Sequence, residues 1–273
     1  NEVIISHKSK IVAQIPTSAL SNDTPVNFRN VIKNPPDYLL EKWQWKEDYL
    51  PQINHYKILS LKENKHFSYS QIILKLLSNP SIASKRWIYN QYDSQVQANT
   101  VFKPGKSDAA VIRLREQNEK NKNKVFSGVA ASVDCNSRWV SLDPFRGAIA
   151  AVVESARNVS CVGAEPIAIT NNLNFSSPET EIGYWQLASS CNGISEACKV
   201  LETPVTGGNV SLYNESKNKD NEITPINPTP VIGMVGKIDN IEKSVSSEWK
   251  NIDDQIWLIG SYKSDTTIAA SSY

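Results

Sequence analysis

Residues 146–170, RGAIAAVVESARNVSCVGAEPIAIT, contain a segment rich in alanine and valine, then a glycine, a proline and a short apolar run. The segment 146–162 predicts a helix that ends at Gly163, because glycine is favoured just beyond the last helical turn. Its sequence is apolar on almost every side, so we expect the helix to be buried. Pro166–Thr170 predicts a short strand. The stretch therefore predicts a domain that contains both helices and strands.

Further elements are predicted on both sides of this stretch. Ser177-Pro178-Glu179 reads as the N-cap, first-turn proline and early acid of a second helix, which Thr203-Pro204 ends. One face of this helix has apolar residues at alternating spacings of four and three: Leu187, Cys191, Ile194, Cys198 and Leu201. Strands are predicted at 109–114, 125–134, 204–213 and 229–237.

The first hundred residues have a different character. Residues 2–15 predict a β-hairpin, and Pro16–Pro36 reads as a polar linker. Residues 37–90 are predicted to be helical. The polar alternation from Gln91 to Thr100 indicates either a strand that lines a groove or a strand with one solvated face. Near the other end, Gln255–Gly260 predicts a strand that would start a further domain.

Composition excludes several classes of protein. The 273 residues are 40% hydrophobic, which is enough for a packed core. They are 21% charged with a net charge of +1, which is too neutral for nucleic-acid binding by bulk charge. There is no run of about 18 apolar residues, so we expect no membrane-spanning helix. The four cysteines form no C-x-x-C pair, which argues against a zinc site. They are too few for a disulfide framework, which favours a reducing, cytoplasmic setting.

The chain opens at Asn1 and has one methionine, Met234. We therefore expect an internal piece of a longer protein, with a processed mature chain as the alternative.

Glu154 and Asn158 are the first candidate site. They are four residues apart, so both side chains lie on one face of the predicted helix. A carboxylate and an amide oxygen suit a hard cation such as Mg²⁺. The alternative is a structural contact between Glu154 and Arg157 or a backbone amide.

Two polar segments are further candidates, one within the predicted strand 204–213 and one after the predicted strand Pro166–Thr170. Thr206–Ser211 contains two glycines that let a backbone approach a ligand, but taken alone the pair is better explained by a Gly-Gly β-bulge. Asn171–Phe175 could hold a phosphate or a base edge, or could be a turn in which asparagines bond the local backbone.

The motifs together resemble those of the phosphoribosylformylglycinamidine synthase family, the amidotransferase-linked synthetases of purine biosynthesis. They occur in family order over residues 1–262: QYD at 91–93 with VQANTV at 96–101, VDCN at 133–136, LDPFRG at 142–147, GAEP at 163–166 with LNF at 173–175, and PVTGGNVS at 204–211.

The resemblance implies an architecture. The family has two tandem copies of a module shared with aminoimidazole ribonucleotide synthetase, and each module domain is an α+β layer sandwich. The sheets of the two N-terminal domains pair face to face. The implied divisions are the tail of the first module (1–28), a linker and helical region (29–99), the second module's N-terminal domain (100–236) and the start of its C-terminal domain (237–273).

The resemblance also implies an activity, in which ATP phosphorylates the formamide oxygen of formylglycinamide ribonucleotide and glutamine-derived ammonia displaces the phosphate. By similarity, the implied roles are nucleotide binding by Asn171 and Gly208, substrate binding by Ser211, and Mg²⁺ binding by Asn209, Glu154, Asn158 and Asp93. Asn171 departs from the aspartate often found in the family. No catalytic residue is assigned, because none of this chain's histidines lies in the matching family motif.

The implied cofactors are ATP and Mg²⁺. The implied partners are formylglycinamide ribonucleotide and, if the parent is the short form of the enzyme, a glutaminase subunit and a small partner subunit. In the long form both would be fused to the same chain. No nucleic acid and no membrane are expected. Two alternatives remain: a non-catalytic module that holds a nucleotide, or a related single-module ATP-dependent synthetase.

Overall fold

A computed structural model describes residues 1–43, 53–54, 57–60, 65–115 and 126–259 of the chain. The chain divides into two compact units, Asn1–Val31 and Ile32–Tyr273. The division at residues 28, 99 and 236 stays a prediction. Within the described ranges, no helix has the length and hydropathy that a membrane span requires.

The N-terminal unit is a β-hairpin, as predicted. Strands β1 (Glu2–His7) and β2 (Lys10–Pro16) pair antiparallel. Lys8 and Ser9 connect them with φ values of 46° and 63°, the conformation of a two-residue hairpin turn whose twist matches the strands.

The prediction that residues 37–90 are helical is wrong in part. Strands and helices alternate in this region. One helix, α2 (Tyr69–Ser78), begins directly after a strand, and Ser68 caps it in a capping box with Gln71. The three strands pair antiparallel in chain order. The elements are α1 (Asp37–Trp43), β3 (Ile53–Asn54), β4 (Lys57–Ser60), β5 (Lys65–Ser68), α2 (Tyr69–Ser78) and α3 (Arg86–Tyr89).

A five-stranded sheet organises the rest of the described chain, and its strand order is β6-β7-β12-β8-β9. All neighbours are antiparallel except β8 and β9, which are parallel and are joined by α6. The sheet strands are β6 (Ala110–Arg113), β7 (Gly128–Asp134), β8 (Glu165–Asn174), β9 (Val205–Ser211) and β12 (Thr229–Ile238); the helices are α4 (Ser137–Leu142), α5 (Pro144–Cys161) and α6 (Glu181–Leu201). A small hairpin, β10 (Glu215–Lys217) and β11 (Ile223–Pro225), lies between β9 and β12. The fold is α+β, as expected.

Helix α5 begins two residues earlier than predicted. The Asp143 side chain accepts a hydrogen bond from the backbone N–H of Arg146, and Pro144 occupies the first turn, where its missing N–H costs nothing. Gly163, with φ of 86°, ends the helix as predicted. The expectation that α5 is buried holds for the side that packs in the core, whereas Glu154 and Arg157 on the other side are exposed.

Helix α6 begins later than predicted. Its N-cap is Thr180, whose side chain accepts a hydrogen bond from Gly183 N, and Ser177 instead caps the preceding turn by accepting from Glu179 N. Of the predicted apolar face, Ile194 and Cys198 are buried whereas Cys191 and Leu201 are exposed.

The core lies between the sheet and the two long helices. Strand β12 is central and alternates strictly, with Ile232 and Met234 fully buried against the helices. Gly236 lies on the same face, close to Val159 of α5. The alternation turns the intervening β12 residues, Val231, Gly233 and Val235, toward the opposite face, which the helices do not cover.

Two further strand predictions are wrong. Residues 96–98 form a single 3₁₀ turn in which Gln97 and Ala98 have φ values of 58° and 51°, and this backbone cannot continue as a strand. Only Thr100 forms an isolated bridge, to Ile112. Residues 255–259, the described part of the predicted Gln255–Gly260 strand, contain no strand.

Candidate functional site

A cluster of polar side chains joins the end of β7 to α5. Asp134, the last residue of β7, accepts a hydrogen bond from Asn158 Nδ2 at 2.9 Å and another from Ser155 Oγ at 2.9 Å. Ser155 is fully buried, so its hydroxyl fixes the carboxylate against the core. One turn before Asn158, Glu154 lies at the same end of the sheet. The predicted pair Glu154 and Asn158 therefore does share a site, and Asp134 is its third member.

The cluster has an excess of negative charge. Partial burial raises the pKa of Glu154, the Asp134 carboxylate raises it further, and Arg157 lowers it by a smaller amount. The same two carboxylates, after burial, raise the pKa of the Cys135 thiol to about 11. A cation would offset the effect of the Asp134 charge on Glu154, so the electrostatics fit the Mg²⁺ that the sequence implied.

The cluster borders an open cleft of about 410 Å³. Mg²⁺ in proteins is commonly held by one or two carboxylates and completed by water and phosphate oxygens, which an open cleft admits. Among the described residues, no three His, Cys, Asp or Glu side chains form a group that could hold a metal ion. The lining residues are Val133–Trp139 and Glu154.

A second cleft, of about 500 Å³, lies on the other side of Asp134 and Asn158. Asp108 and Ser94 also line it. The predicted metal ligand Asp93 does not: its Oδ1 accepts a hydrogen bond from Gln95 N at 2.8 Å and closes a local turn. The role of Asp93 stays a prediction.

Sequence reasoning missed Asp134 and Asp108 as site residues. Asp134 belonged to the VDCN motif, and its signal was a lone acid at the end of an apolar strand. Asp108 directly precedes the AAVIRL strand and gave no signal beyond its charge.

Asn171 and Gly208 lie side by side in the parallel pair β8–β9. A Cβ atom on Gly208 would be 2.2 Å from Asn171 Oδ1, so only glycine allows this approach. Of the two alternatives for Asn171–Phe175, the turn is wrong, because β8 continues through Asn174 with a hydrogen-bonded strand on each side. The predicted bulge is present one residue early: the register shifts at Thr206, ahead of the glycine pair.

Asn171 opens onto a third cleft, of about 500 Å³, between α6 and β9. This cleft lies on the helix-covered face of the sheet. Ile232 of β12 pairs with Asp134 of β7 on one side and with Asn171 of β8 on the other, so the three residues form one row across the sheet. The predicted nucleotide contact and the carboxylate cluster thus share one face.

Asn209 and Ser211 project from the opposite face, because side chains alternate along β9. Asn172 lies opposite Asn209, and Asn174 lies opposite Ser211. The four side chains form a polar patch at the carboxyl ends of the two parallel strands. The structure therefore brings the seven predicted site residues together only in part: it separates Asn209 and Ser211 from Glu154, Asn158 and Asn171.

The middle of the chain matches a known protein family, and the whole chain matches known proteins. Residues 106–238 match the AIR synthase related protein, N-terminal domain, family. The chain is 87% identical over all of its 273 residues to phosphoribosylformylglycinamidine synthase subunit PurL of Prochlorococcus marinus (strain MIT 9312), of which it covers 35%. It is 75% identical over 272 residues to PurL of Prochlorococcus marinus subsp. pastoris (strain CCMP1986), again covering 35% of that protein.

Solved structures show the same fold. PurL of Thermotoga maritima complexed with ATP superposes with a TM-score of 0.54 at 25% identity, over 88% of this chain and 32% of that one. The chain thus spans about a third of the length of the curated relatives it matches.

Proposed function

We propose, from the similarity to PurL subunits over the whole chain and from the family match at residues 106–238, that this chain is a piece of a phosphoribosylformylglycinamidine synthase subunit, part of an ATP-dependent ligase of purine biosynthesis. The whole enzyme would convert formylglycinamide ribonucleotide, ATP and glutamine-derived ammonia to formylglycinamidine ribonucleotide. If the enzyme is the short form, a separate glutaminase subunit would supply the ammonia and a small partner subunit would join the complex, in the cytoplasm. The observation that supports this most strongly is the Asp134–Asn158–Glu154 cluster, whose charge and open cleft suit a magnesium-bound phosphate.

Each predicted residue has a role in this proposal. On the helix-covered face, Glu154 and Asn158 would hold Mg²⁺, and Asp134 would orient Asn158 so that its amide oxygen faces the ion. Asn171 and Gly208 would contact the nucleotide. Mg²⁺ would neutralise the phosphate charge that these residues approach.

The other predicted residues lie on the open face or beside it. Asn209 would bind a Mg²⁺ ion, and Ser211 would contact the substrate. Asp93 would complete a metal site from the loop before β6. We assign no catalytic residue to this chain.

A second function, a module that holds a nucleotide without turnover, is favoured by one observation. The carboxylate cluster lies on the helix-covered face, whereas Asn209 and Ser211 lie on the other face. A nucleotide at the cluster would therefore be separated by the sheet from a substrate at Ser211. Such a nucleotide would stabilise the fold instead of reacting.

Substitution of Glu154 tests the metal assignment. In the intact protein, Glu154→Gln keeps the size of the side chain and removes its charge. We expect Mg-ADP binding, measured by calorimetry, to weaken by about 1–3 kcal/mol, the range for a lost charged hydrogen-bond partner. The matched control is Glu196→Gln, at an exposed position of α6.

The outcomes separate the two functions. Unchanged Mg-ADP affinity in Glu154→Gln would remove the metal role of both Glu154 and Asn158. Weaker Mg-ADP binding with normal synthase turnover would favour the nucleotide-holding module, and a parallel loss of both would favour a site on the reaction path.

A further inference from the structure

The chain reverses direction after β9 in a turn that is bonded to the β8–α6 loop at almost every residue. Tyr213 in this turn has φ of 61°, a left-handed conformation that is disfavoured for a bulky side chain and persists only where surrounding contacts hold it. Its hydroxyl donates a hydrogen bond to Glu179 Oε1 at 3.3 Å. Glu215 accepts one from Ser177 N at 2.8 Å. The turn is therefore a preorganised unit.

Asn214 occupies the centre of this unit. Its Nδ2 atom lies 2.7 Å from the backbone oxygen of Ser211 and 3.1 Å from the backbone oxygen of Phe175. Two carbonyl oxygens can be satisfied only by a donor, so the amide nitrogen must occupy this end of the side chain. The two carbonyl contacts match its two N–H groups.

This arrangement fixes the hydroxyl group of Ser211. Ser211 Oγ lies 3.3 Å from Asn214 Oδ1, and Oδ1 can only accept, so the serine proton points into the turn. Asn214 Nδ2 also lies 3.1 Å from Ser211 Oγ. A hydrogen bond donated by Nδ2 to Oγ would use one of the two lone pairs of the serine oxygen. At least one lone pair remains for the open face. In this orientation Ser211 accepts a hydrogen bond from a ligand and keeps its own proton on Asn214.

Asn174, directly opposite Ser211 in the parallel pair, is restricted in the same way. Its Nδ2 donates to the backbone oxygens of Asn172 at 3.1 Å and Thr229 at 3.2 Å. Both of its N–H groups are thus used within the sheet, and Oδ1 is the atom left to meet a ligand. Two neighbouring side chains on one face consequently offer only acceptors.

We propose that Ser211 and Asn174 form an acceptor pair that recognises an N–H or O–H group of the substrate, and that Asn214 is the positioning residue that holds Ser211 in this role. The proposal deepens the substrate role of Ser211 and rests on the proposed function. It assigns the amide or sugar hydroxyl part of a ribonucleotide to this pair and excludes the phosphate group, whose oxygens need donors.

Binding measurements on the intact protein test the ligand class. We expect Ser211→Ala to weaken binding of formylglycinamide ribonucleotide about tenfold and to leave the affinity for inorganic phosphate unchanged. Asn214→Ala should free the hydroxyl to rotate, so that ribonucleotide affinity falls several-fold while phosphate affinity stays the same or rises. Ser216→Ala, in the neighbouring hairpin, is the matched control and should change neither affinity.

Two results would overturn the proposal. One is an equal loss of phosphate and ribonucleotide affinity in Ser211→Ala, which would make Ser211 a phosphate donor. The other is a loss that occurs only with Mg²⁺ present and vanishes in its absence, which would make the pair a metal site.

Neutron diffraction on the ligand-free protein tests the hydroxyl orientation without reference to the substrate. A deuterium on Ser211 Oγ that points to Asn214 Oδ1 supports the proposal, and one that points to the open face contradicts it. If the orientation holds but the wild-type protein binds no ribonucleotide, the proposed function fails and the acceptor pair stands.

Discussion

The two faces of the five-stranded sheet differ in cover and in chemistry. On the helix-covered face, Ile232 and Met234 are fully buried, and the row ends in the carboxylate of Asp134. On the open face, Val133 is 73% exposed. Two other rows on this face, which start at Val231 and Thr229 of β12, end in the amide of Asn209 and the hydroxyl of Ser211. Because side chains alternate along a strand, one short sequence supplies both faces. The comparison shows that residues adjacent in a motif, such as Gly208 and Asn209, can serve separate sites.

The open face also has a use in the proposed whole enzyme. It presents valines at the centre of the sheet and a polar patch at one edge. The family resemblance implies a second N-terminal domain against it, so the polar patch would lie beside that interface. This arrangement stays a proposal, and the following substitutions test how far the two faces differ.

The largest effect is expected from a pair of glycines on opposite faces of β12. A Cβ on Gly236 would be 2.2 Å from Val159 Cγ1, and Val159 is fully buried, so Gly236→Ala should lower the free energy of unfolding by about 3 kcal/mol. A Cβ on Gly233 would be 2.9 Å from Thr170 Cγ2, which can rotate away. Denaturant unfolding should show a far smaller loss for Gly233→Ala, and equal losses would refute the contrast.

The next effect concerns Asp134. Replacement by alanine removes the acceptor of the Asn158 amide and leaves the buried Ser155 hydroxyl to the more distant Ile232 carbonyl oxygen at 3.4 Å, which should cost about 1–2 kcal/mol. Asp239→Ala is the control, because Asp239 forms only an exposed pair with Lys237 and should contribute less than about 0.5 kcal/mol. Chemical denaturation of both variants measures the difference. A loss as small as that of the control would show that the cluster is not structurally tied to the core.

A smaller, pH-dependent effect is expected from Glu154→Gln without ligand. The pKa of Glu154 is raised above its model-compound value of 4.5, so the folded state holds this proton more tightly than the unfolded state. The wild type therefore loses stability as pH rises from 4.5 through the raised pKa. At pH near 7 the glutamine variant should be slightly more stable, by less than about 0.5 kcal/mol because the site is open to solvent.

Thermal unfolding against pH checks this sign. The advantage of Glu154→Gln should vanish below pH 4.5, where the carboxyl group is neutral in both states. A variant that is less stable than the wild type at neutral pH would instead support the structural contact with Arg157.

The smallest effect is expected at Val133. Because its side chain is 73% exposed, Val133→Thr should change the free energy of unfolding by less than about 0.5 kcal/mol. Thermal unfolding of this variant and of Val111→Thr, at a buried position of β6, compares the two faces directly. A large loss at Val133 would mean that the open face is already covered.

Local signals in the sequence were enough for most elements near the site. The helix α5 and the strands β7, β9 and β12 follow from apolar patterning and from Gly163, which are short-range features. Strand β8 was predicted too short because asparagines disfavour strands, yet pairing with β12 and β9 on both sides overrides that preference.

The site itself was only half accessible from sequence. Glu154 and Asn158 share a helix face, so their spacing reveals them. The contribution of Asp134 depends on a strand and a helix meeting in space, because its hydrogen-bond partners Ser155 and Asn158 lie 21 and 24 residues further along the chain. The separation of Asn209 from Asn171 depends on the register of β8 and β9, which no single stretch of sequence encodes.

The parallel pairing of β8 and β9 has a consequence for the order in which the domain assembles. Within the described sheet, β9 is an edge strand that pairs with β8, and the connection between them contains the 21-residue helix α6. Such non-local pairing is slow, and an edge strand has the fewest bonds to break. We therefore expect the amides of β9 to exchange with solvent sooner than those of β12. A ligand that bridges Asn174 and Ser211 would link β8 to β9. It would therefore slow amide exchange most in β9, the edge strand that opens first.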